Sequence, residues 1–82
     1  LDPVSRGMLN RLTSRLRDVS WDADSLEAVV RKFADSESLK LGAVAQPLRA
    51  ALTGRTVSPS VFDVMMLIGR DETIVRLEDI SV

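Results

Sequence analysis

Residues 40–62 read KLGAVAQPLRAALTGRTVSPSVF. In the first half of this stretch, apolar side chains recur at the spacing of one helix face: Val44, Ala45, Leu48 and Leu52. Pro47 lies inside the pattern and removes one backbone donor, so a kink is expected there. Gly54 follows at the position where helices commonly end in left-handed backbone. The sequence therefore predicts a helix over 41–53.

The second half of the stretch predicts the start of another helix. Ser58 is a favoured N-cap, and Pro59 suits the first helical position because the N–H that it lacks would be unpaired there anyway. The residues that follow are almost wholly apolar: Val61, Phe62, Met65, Met66 and Ile68. We therefore predict a central helix over about 59–69 that ends at Gly69.

The rest of the chain also follows helical periodicity. Apolar spacing predicts a first helix over about 3–18. Asp24 with Glu27 three residues later forms a capping box, which predicts the start of a second helix. A short final helix is indicated by three apolar residues: Ile74, Leu77 and Ile80. The predicted fold class is all-α, a compact bundle of about five helices in one domain over 1–82.

Composition excludes several classes of function. The 82 residues include no cysteine and no histidine. Disulfides, thiol chemistry, the usual zinc ligands and an imidazole base are therefore absent from this chain. No apolar run approaches the ~18 residues that cross a bilayer, and no signal peptide is evident. We expect no catalytic residue, no metal site and no membrane segment.

Charge is distributed unevenly along the chain. Residues 18–37 hold two bases and six acids, and residues 63–82 hold two bases and five acids. Residues 38–62 hold no acid and three bases: Lys40, Arg49 and Arg55. An acid-free segment of this kind indicates a surface for an anionic partner.

The predicted helix start at Ser58 and Pro59 lies close in sequence to Arg55. A helix N-terminus presents unpaired N–H donors and the positive end of the helix dipole. Such a site suits phosphates, and it equally suits the acceptor edges of unstacked bases. The alternative is that the Ser-Pro pair is only a good helix start and that the arginines are solvated.

Five short motifs occur in order along the chain: QPLR at 46–49, ALTGR at 51–55, SP at 58–59, Phe62, and LIGRDE at 67–72. Together they resemble the C-terminal anticodon-binding domain of bacterial glutamyl-tRNA synthetases. The resemblance covers nearly the whole chain and is weakest over 1–18. It implies an α-helical cage subdomain of a longer synthetase, with 1–18 as the end of a helix from the preceding subdomain. The lack of an initiating methionine leads to the same expectation.

The resemblance also implies a set of residues that bind the anticodon loop: Gln46, Arg49, Arg55, Ser58, Pro59, Ser60, Val61 and Phe62. In the family, the arginine of the Pro-Leu-Arg motif faces the loop, which points to Arg49 here. The Ser/Thr-Pro turn and the residues after it contact the bases, and Ser60 stands where many members have glycine. Arg55 lies in a variable connector and is expected to contact phosphate. The apolar surroundings of Phe62 favour a core position for its ring.

The partner that the resemblance implies is the anticodon loop of glutamate tRNA, with no DNA or membrane partner. The longer synthetase would be a monomeric, cytoplasmic glutamate–tRNA ligase that uses ATP and Mg²⁺. This segment would hold no cofactor of its own and would not be an enzyme by itself.

Two other interpretations remain open from the residues alone. The apolar helix with Met65 and Met66 would suit a helical protein–protein interaction module with no RNA role, although methionines commonly fill cores. The other interpretation is a general basic nucleic-acid binder, for which three cations are a weak electrostatic footprint.

Overall fold

The computed structural model describes residues 2–54 and 60–81, which form four α-helices. They are α1 (Pro3–Leu16), α2 (Ala23–Ser36), α3 (Leu41–Thr53) and α4 (Val61–Ser81). No strand occurs in the described part of the chain. The predicted all-α class is confirmed, whereas the predicted count of about five helices is wrong.

The difference in helix count arises at Gly69, within α4. Its backbone angles, φ 83° and ψ 169°, are non-helical, and helix resumes directly after it. Glycine reaches this region because it lacks a Cβ. The sequence therefore predicts the position of the break, at Gly69. The two helical segments follow each other directly, without a connecting loop between them. We call residues 61–68 the first segment of α4 and residues 70–81 its second segment.

Helix α3 follows the prediction closely. It spans Leu41–Thr53 and continues through Pro47. Gly54 ends it with φ 72°, and its N–H donates to the carbonyl of Ala50 at 2.8 Å. The helix and its glycine cap are confirmed because both depend on local sequence signals.

The start of α2 corrects the predicted capping box. Asp22, rather than Asp24, is the N-cap: its carboxylate accepts from the backbone N–H of Ser25 at 2.8 Å and from the Ser25 hydroxyl at 2.9 Å. Asp24 falls in the first turn, where a negative charge favours the helix dipole. Glu27 pairs instead with Arg31, at 2.9 Å. Because Ser25 offers two donors to Asp22, the cap forms two residues earlier than predicted.

Helix α1 begins at the predicted residue and ends earlier than predicted. Pro3 occupies its first turn, and the Asp2 carboxylate accepts from the backbone N–H of Ser5 at 2.9 Å. The helix ends at Leu16, whereas the periodicity predicted about residue 18. Such differences of two residues are common at frayed helix ends.

The core is largely aliphatic and takes side chains from all four helices. Its members include Leu9, Leu12 and Leu16 of α1, Leu26, Val30 and Phe33 of α2, Val44, Leu48 and Leu52 of α3, and Val61, Met65 and Leu77 of α4. Helix α3 and the first segment of α4 therefore each have a buried side and an outward side. None of the described helices is both long enough and apolar enough to cross a membrane.

Candidate functional site

The outward side of α3 carries the polar residues of the candidate site. Gln46, Arg49 and Thr53 lie three and four residues apart, so they share one face of the helix. Gln46 is exposed, and Arg49 and Thr53 are partly exposed. The buried stripe of Val44, Leu48 and Leu52 anchors the opposite face in the core. Core packing thus fixes which way the polar face points.

Arg49 has no ion pair with any described residue. Four other arginines are paired with acids at N–O distances of 2.6 to 2.9 Å: Arg11 with Glu37, Arg17 with Glu78, Arg31 with Glu27 and Arg76 with Glu72. The Nε of Arg49 is buried and has no hydrogen-bond partner in the described part of the chain. The guanidinium is therefore not committed to a described acid, and it can bind an external acceptor.

The last turn of α3 is held by two hydrogen bonds to main-chain carbonyls. The Thr53 hydroxyl donates to the carbonyl of Arg49 at 2.8 Å. The Arg76 guanidinium, from the second segment of α4, donates to the carbonyl of Leu52 at 2.7 Å. The Leu52 carbonyl is one of the last four of the helix, which lack intrahelical donors, so Arg76 satisfies a group that would otherwise need water. The end of α3 is thereby tied to α4.

Ser60 occupies the N-cap position of α4. Its carbonyl accepts from the N–H of Val64 at 3.1 Å, and its hydroxyl accepts from the N–H of Phe62 at 3.3 Å. The predicted start at 59 is two residues before Val61, where the helix begins. Ser60 is exposed, so this capped helix start lies at the surface.

The two residues after Ser60 point toward the core. Val61 is 1 % exposed and belongs to the core cluster. Phe62 is partly buried and packs against that cluster, as its apolar surroundings favoured. Val61 therefore supports the helix start from inside, and its side chain has little exposed surface; its contact with the anticodon loop stays a prediction.

Three of the predicted site residues lie outside the described part of the chain: Arg55, Ser58 and Pro59. The described candidates are Gln46 and Arg49 on the outward side of α3, and Ser60, Val61 and Phe62 at the start of α4. The two groups flank the connector that follows Gly54.

Sequence reasoning missed the contacts that hold the first segment of α4 in place. The Trp21 indole N–H donates to the carbonyl of Met65 at 2.9 Å. The Arg70 guanidinium lies over the Trp21 ring, 5.4 Å from its centroid, and donates to the carbonyl of Val19. No local pattern in the sequence pairs the only tryptophan of the chain with a carbonyl 44 residues away.

The sequence profile of the family described as "Anticodon binding domain" matches residues 1–81. The chain belongs to this anticodon-binding domain family. The family expected from the order of the motifs is thereby confirmed. The alternative of an interaction module without an RNA role gains no support.

Similar curated proteins are ligases. The chain is 58% identical over 79 residues to glutamate–tRNA ligase 1 of Jannaschia sp. (strain CCS1), which covers 96% of the chain and 17% of that protein. It is 52% identical over 82 residues to glutamate–tRNA ligase 2 of Roseobacter denitrificans, and that match covers 100% of the chain and 18% of the ligase. It is 56% identical over 82 residues to glutamate–tRNA ligase of Rhodopseudomonas palustris (strain TIE-1), and that match covers 99% of the chain and 17% of the ligase. This anticodon-binding domain thus spans less than a fifth of the length of these relatives.

The described residues of this anticodon-binding domain contain no cluster of acidic or other ligating side chains that could hold a metal ion. The geometry instead offers an uncommitted guanidinium, an exposed amide and a capped helix start. Groups of these types can hold a ligand by hydrogen bonds, and the guanidinium adds a positive charge.

Proposed function

We propose that this domain recognises the anticodon loop of glutamate tRNA as the C-terminal subdomain of a longer glutamate–tRNA ligase. The observation that carries the proposal is the match to the anticodon-binding family over residues 1–81. The similarity to glutamate–tRNA ligases supports the choice of tRNA. Residues 1–18 would connect to the preceding subdomain. The remaining parts of the ligase, a cytoplasmic monomer, would bind ATP and Mg²⁺ and carry out catalysis.

The surface that recognises the loop combines the outward side of α3 with the start of α4. Arg49 supplies a guanidinium with several N–H donors in a planar arrangement, suited to a base edge or a phosphate. Gln46, one turn earlier on the same face, supplies an amide that both donates and accepts. Ser60 supplies an exposed hydroxyl at the helix start. Single-stranded loop bases are read by such groups because their edges are free of pairing.

Charge at the start of α4 favours bases over phosphates as the ligands there. Asp63 is exposed and lies in the first turn of α4. Its carboxylate offsets the positive end of the helix dipole and repels a phosphate. The acceptor edges of bases carry only partial negative charge, so the repulsion that they meet is weaker. We therefore assign base contact to Ser60 and either base or phosphate contact to Arg49.

The specificity of this surface would come from the cost of unpaired polar groups. A wrong base leaves donors or acceptors buried without partners, at about 1–3 kcal/mol each. Backbone that is held in place by the core loses little conformational entropy when the residues on it bind a ligand. The packed stripe of α3 and the buried Val61 provide that support.

NMR titration of the ¹⁵N-labelled chain tests the proposal. The ligands are the anticodon stem-loop of glutamate tRNA and a hairpin with the same stem and an unrelated loop. We expect shifts centred on Gln46, Arg49 and Ser60 that are selective for the glutamate loop. Equal shifts with both hairpins would indicate a general basic binder instead, and shifts confined to other helix faces would contradict the assigned surface.

A further inference from the structure

The LIGRDE motif at 67–72 is the one motif of the five in the sequence that supplied no candidate site residue. It contains the break in α4 at Gly69, and Arg70 follows directly. Arg70 donates to the Val19 carbonyl, and its guanidinium lies 5.4 Å from the centroid of the Trp21 ring. Arg70 therefore directs its guanidinium to groups of its own domain.

Contacts at Gly69 itself contribute little to the angle between the two segments of α4. No atom from more distant parts of the described chain lies within 4 Å of the place where a Cβ would stand. The backbone of a glycine is also less restricted than that of any other residue. The angle between the segments therefore depends on the contacts that each segment makes elsewhere.

Trp21 contacts both segments of α4, one on each side of the break. Its indole N–H donates to the Met65 carbonyl, in the first segment, at 2.9 Å, and its ring lies against Arg70, in the second segment. Burial of the Met65 side chain is apolar packing, which has no preferred direction, whereas a hydrogen bond has a preferred angle. The Trp21–Arg70 pair therefore fixes how the first segment is oriented relative to the second.

The second segment of α4 also holds the end of α3. The Arg76 guanidinium donates to the Leu52 carbonyl at 2.7 Å. Helix α3 carries Arg49, and the first segment of α4 begins beside Ser60. The position of Arg49 relative to Ser60 therefore depends on two connections through the second segment, one to α3 by Arg76 and one to the first segment by the Trp21–Arg70 pair.

We propose that Trp21 and Arg70 are positioning residues for recognition of the anticodon loop, a role that rests on the function proposed above. They act through the first segment of α4, which presents Ser60 to the loop. Ser60 lies five residues before Met65, about 7.5 Å along the helix, so a rotation of the helix at the Met65 carbonyl moves the Ser60 hydroxyl. Binding groups must be held within roughly 0.5 Å of their productive geometry. Loss of either contact of Trp21 therefore weakens recognition without changing a residue that touches RNA.

The anticodon selectivity of the full-length ligase tests this role. The quantity measured is the ratio of kcat/KM for glutamate tRNA to kcat/KM for the same tRNA with its anticodon replaced. Trp21→Phe removes the indole donor and keeps a ring beside Arg70, whereas Arg70→Met removes the guanidinium and keeps an unbranched side chain. The matched control is Thr13→Val, which also deletes one hydrogen bond to a main-chain carbonyl, but within α1.

We expect Trp21→Phe and Arg70→Met each to lower this ratio by roughly three- to tenfold, the equivalent of one hydrogen bond, and Thr13→Val to change it by less than about twofold. The double variant should fall no further than the lower of the two single variants, because the two contacts of Trp21 act in series. Additive losses would overturn the role. An equal loss in Thr13→Val would also overturn it, because lost stability alone would then explain the result.

The selectivity of the parent ligase separates the positioning role from the proposed function. If the parent ligase charges both tRNAs equally well, recognition of the anticodon is contradicted, and the positioning role is contradicted with it. If the parent ligase is selective and both single variants keep its full selectivity, only the positioning role is overturned.

Discussion

The indole N–H of Trp21 donates to the main-chain carbonyl of Met65 at 2.9 Å, which ties the connector between α1 and α2 to the first segment of α4. Met65 is fully buried, and its carbonyl lies in the last turn before Gly69. A carbonyl oxygen has two lone pairs, so it can accept from the indole in addition to any backbone donor of its own helix. This one contact links the α1–α2 connector to the helix whose start forms the candidate site.

Trp21→Phe removes the indole donor while keeping an aromatic ring beside Arg70. We expect a loss of about 0.5–1.5 kcal/mol in the free energy of unfolding, because the hydrogen bond from the indole to the Met65 carbonyl is lost. Urea unfolding followed by circular dichroism measures this loss, since the variant lacks tryptophan fluorescence. An unchanged midpoint would show that the hydrogen bond contributes nothing to stability.

Thr73 is fully buried, and its hydroxyl has no hydrogen-bond partner among the described residues. Thr73→Val replaces that hydroxyl with a methyl group of similar size, so we expect stability to stay equal or rise by about 1 kcal/mol. Thr13→Val is the matched control, because the buried Thr13 hydroxyl donates to the Leu9 carbonyl at 2.7 Å. The control should lose about 1 kcal/mol. Equal losses in both variants, measured by thermal unfolding, would mean that the Thr73 hydroxyl is satisfied.

Gly69→Ala tests the break in α4. The Gly69 backbone has φ 83° and ψ 169°, and no atom from more distant parts of the described chain lies within 4 Å of the place where a Cβ would stand. The expected cost of about 1–3 kcal/mol is therefore backbone strain and not a clash. Gly42→Ala also adds a Cβ in open space, but within the helical backbone of α3. It should stabilise the chain by about 0.5–1 kcal/mol. If Gly69→Ala were stabilising as well, α4 would be a continuous helix in solution.

The ion pair between Arg11 and Glu37 predicts acid sensitivity. The Arg11 guanidinium, 2.6 Å from the carboxylate, lowers the pKa of Glu37 below its ordinary value of 4.5. A lowered folded-state pKa contributes stability that is present above pH 4.5 and is lost as the pH falls through the lowered value. Glu37→Gln should therefore lower the melting temperature at pH 7. Below pH 4 the melting temperatures of the variant and of the parent chain should be closer to each other. A constant difference between pH 7 and pH 3 would contradict this account.

Local signals in the sequence predicted much of the fold. The apolar spacing from Val44 to Leu52 and the glycine at 54 give both the extent and the end of α3, because these features act within a few residues. The N-cap of α2 was predicted at Asp24 and lies at Asp22, because aspartate suits the cap position at either residue. The choice depends on which carboxylate accepts from the backbone N–H and the hydroxyl of Ser25. The glycine at 69 marks a break in backbone geometry, but whether helix resumes depends on how the second segment packs.

The sequence singled out the residues of the candidate site but not the contacts around them. The motif order pointed to Arg49 and Ser60, since both lie in short segments with a family pattern, and their role in binding stays a prediction. Three features depend on residues that are distant in sequence. They are the burial of Val61, the absence of a described acid beside Arg49 and the hydrogen bond from Trp21 to the Met65 carbonyl. Such contacts follow from tertiary packing, which local periodicity does not specify.

The most direct test of the central claim is the aminoacylation kinetics of the full-length ligase carrying Arg49→Ala. Loss of a charge-assisted hydrogen bond to the anticodon loop should lower kcat/KM for glutamate tRNA by roughly 10- to 100-fold, with the melting temperature unchanged. The matched control is Arg31→Ala, which removes an exposed arginine paired with Glu27 on α2 and should change kcat/KM by less than about twofold. An Arg49→Ala enzyme that charges glutamate tRNA as well as the Arg31→Ala enzyme would contradict the assignment of Arg49 to the anticodon-binding surface.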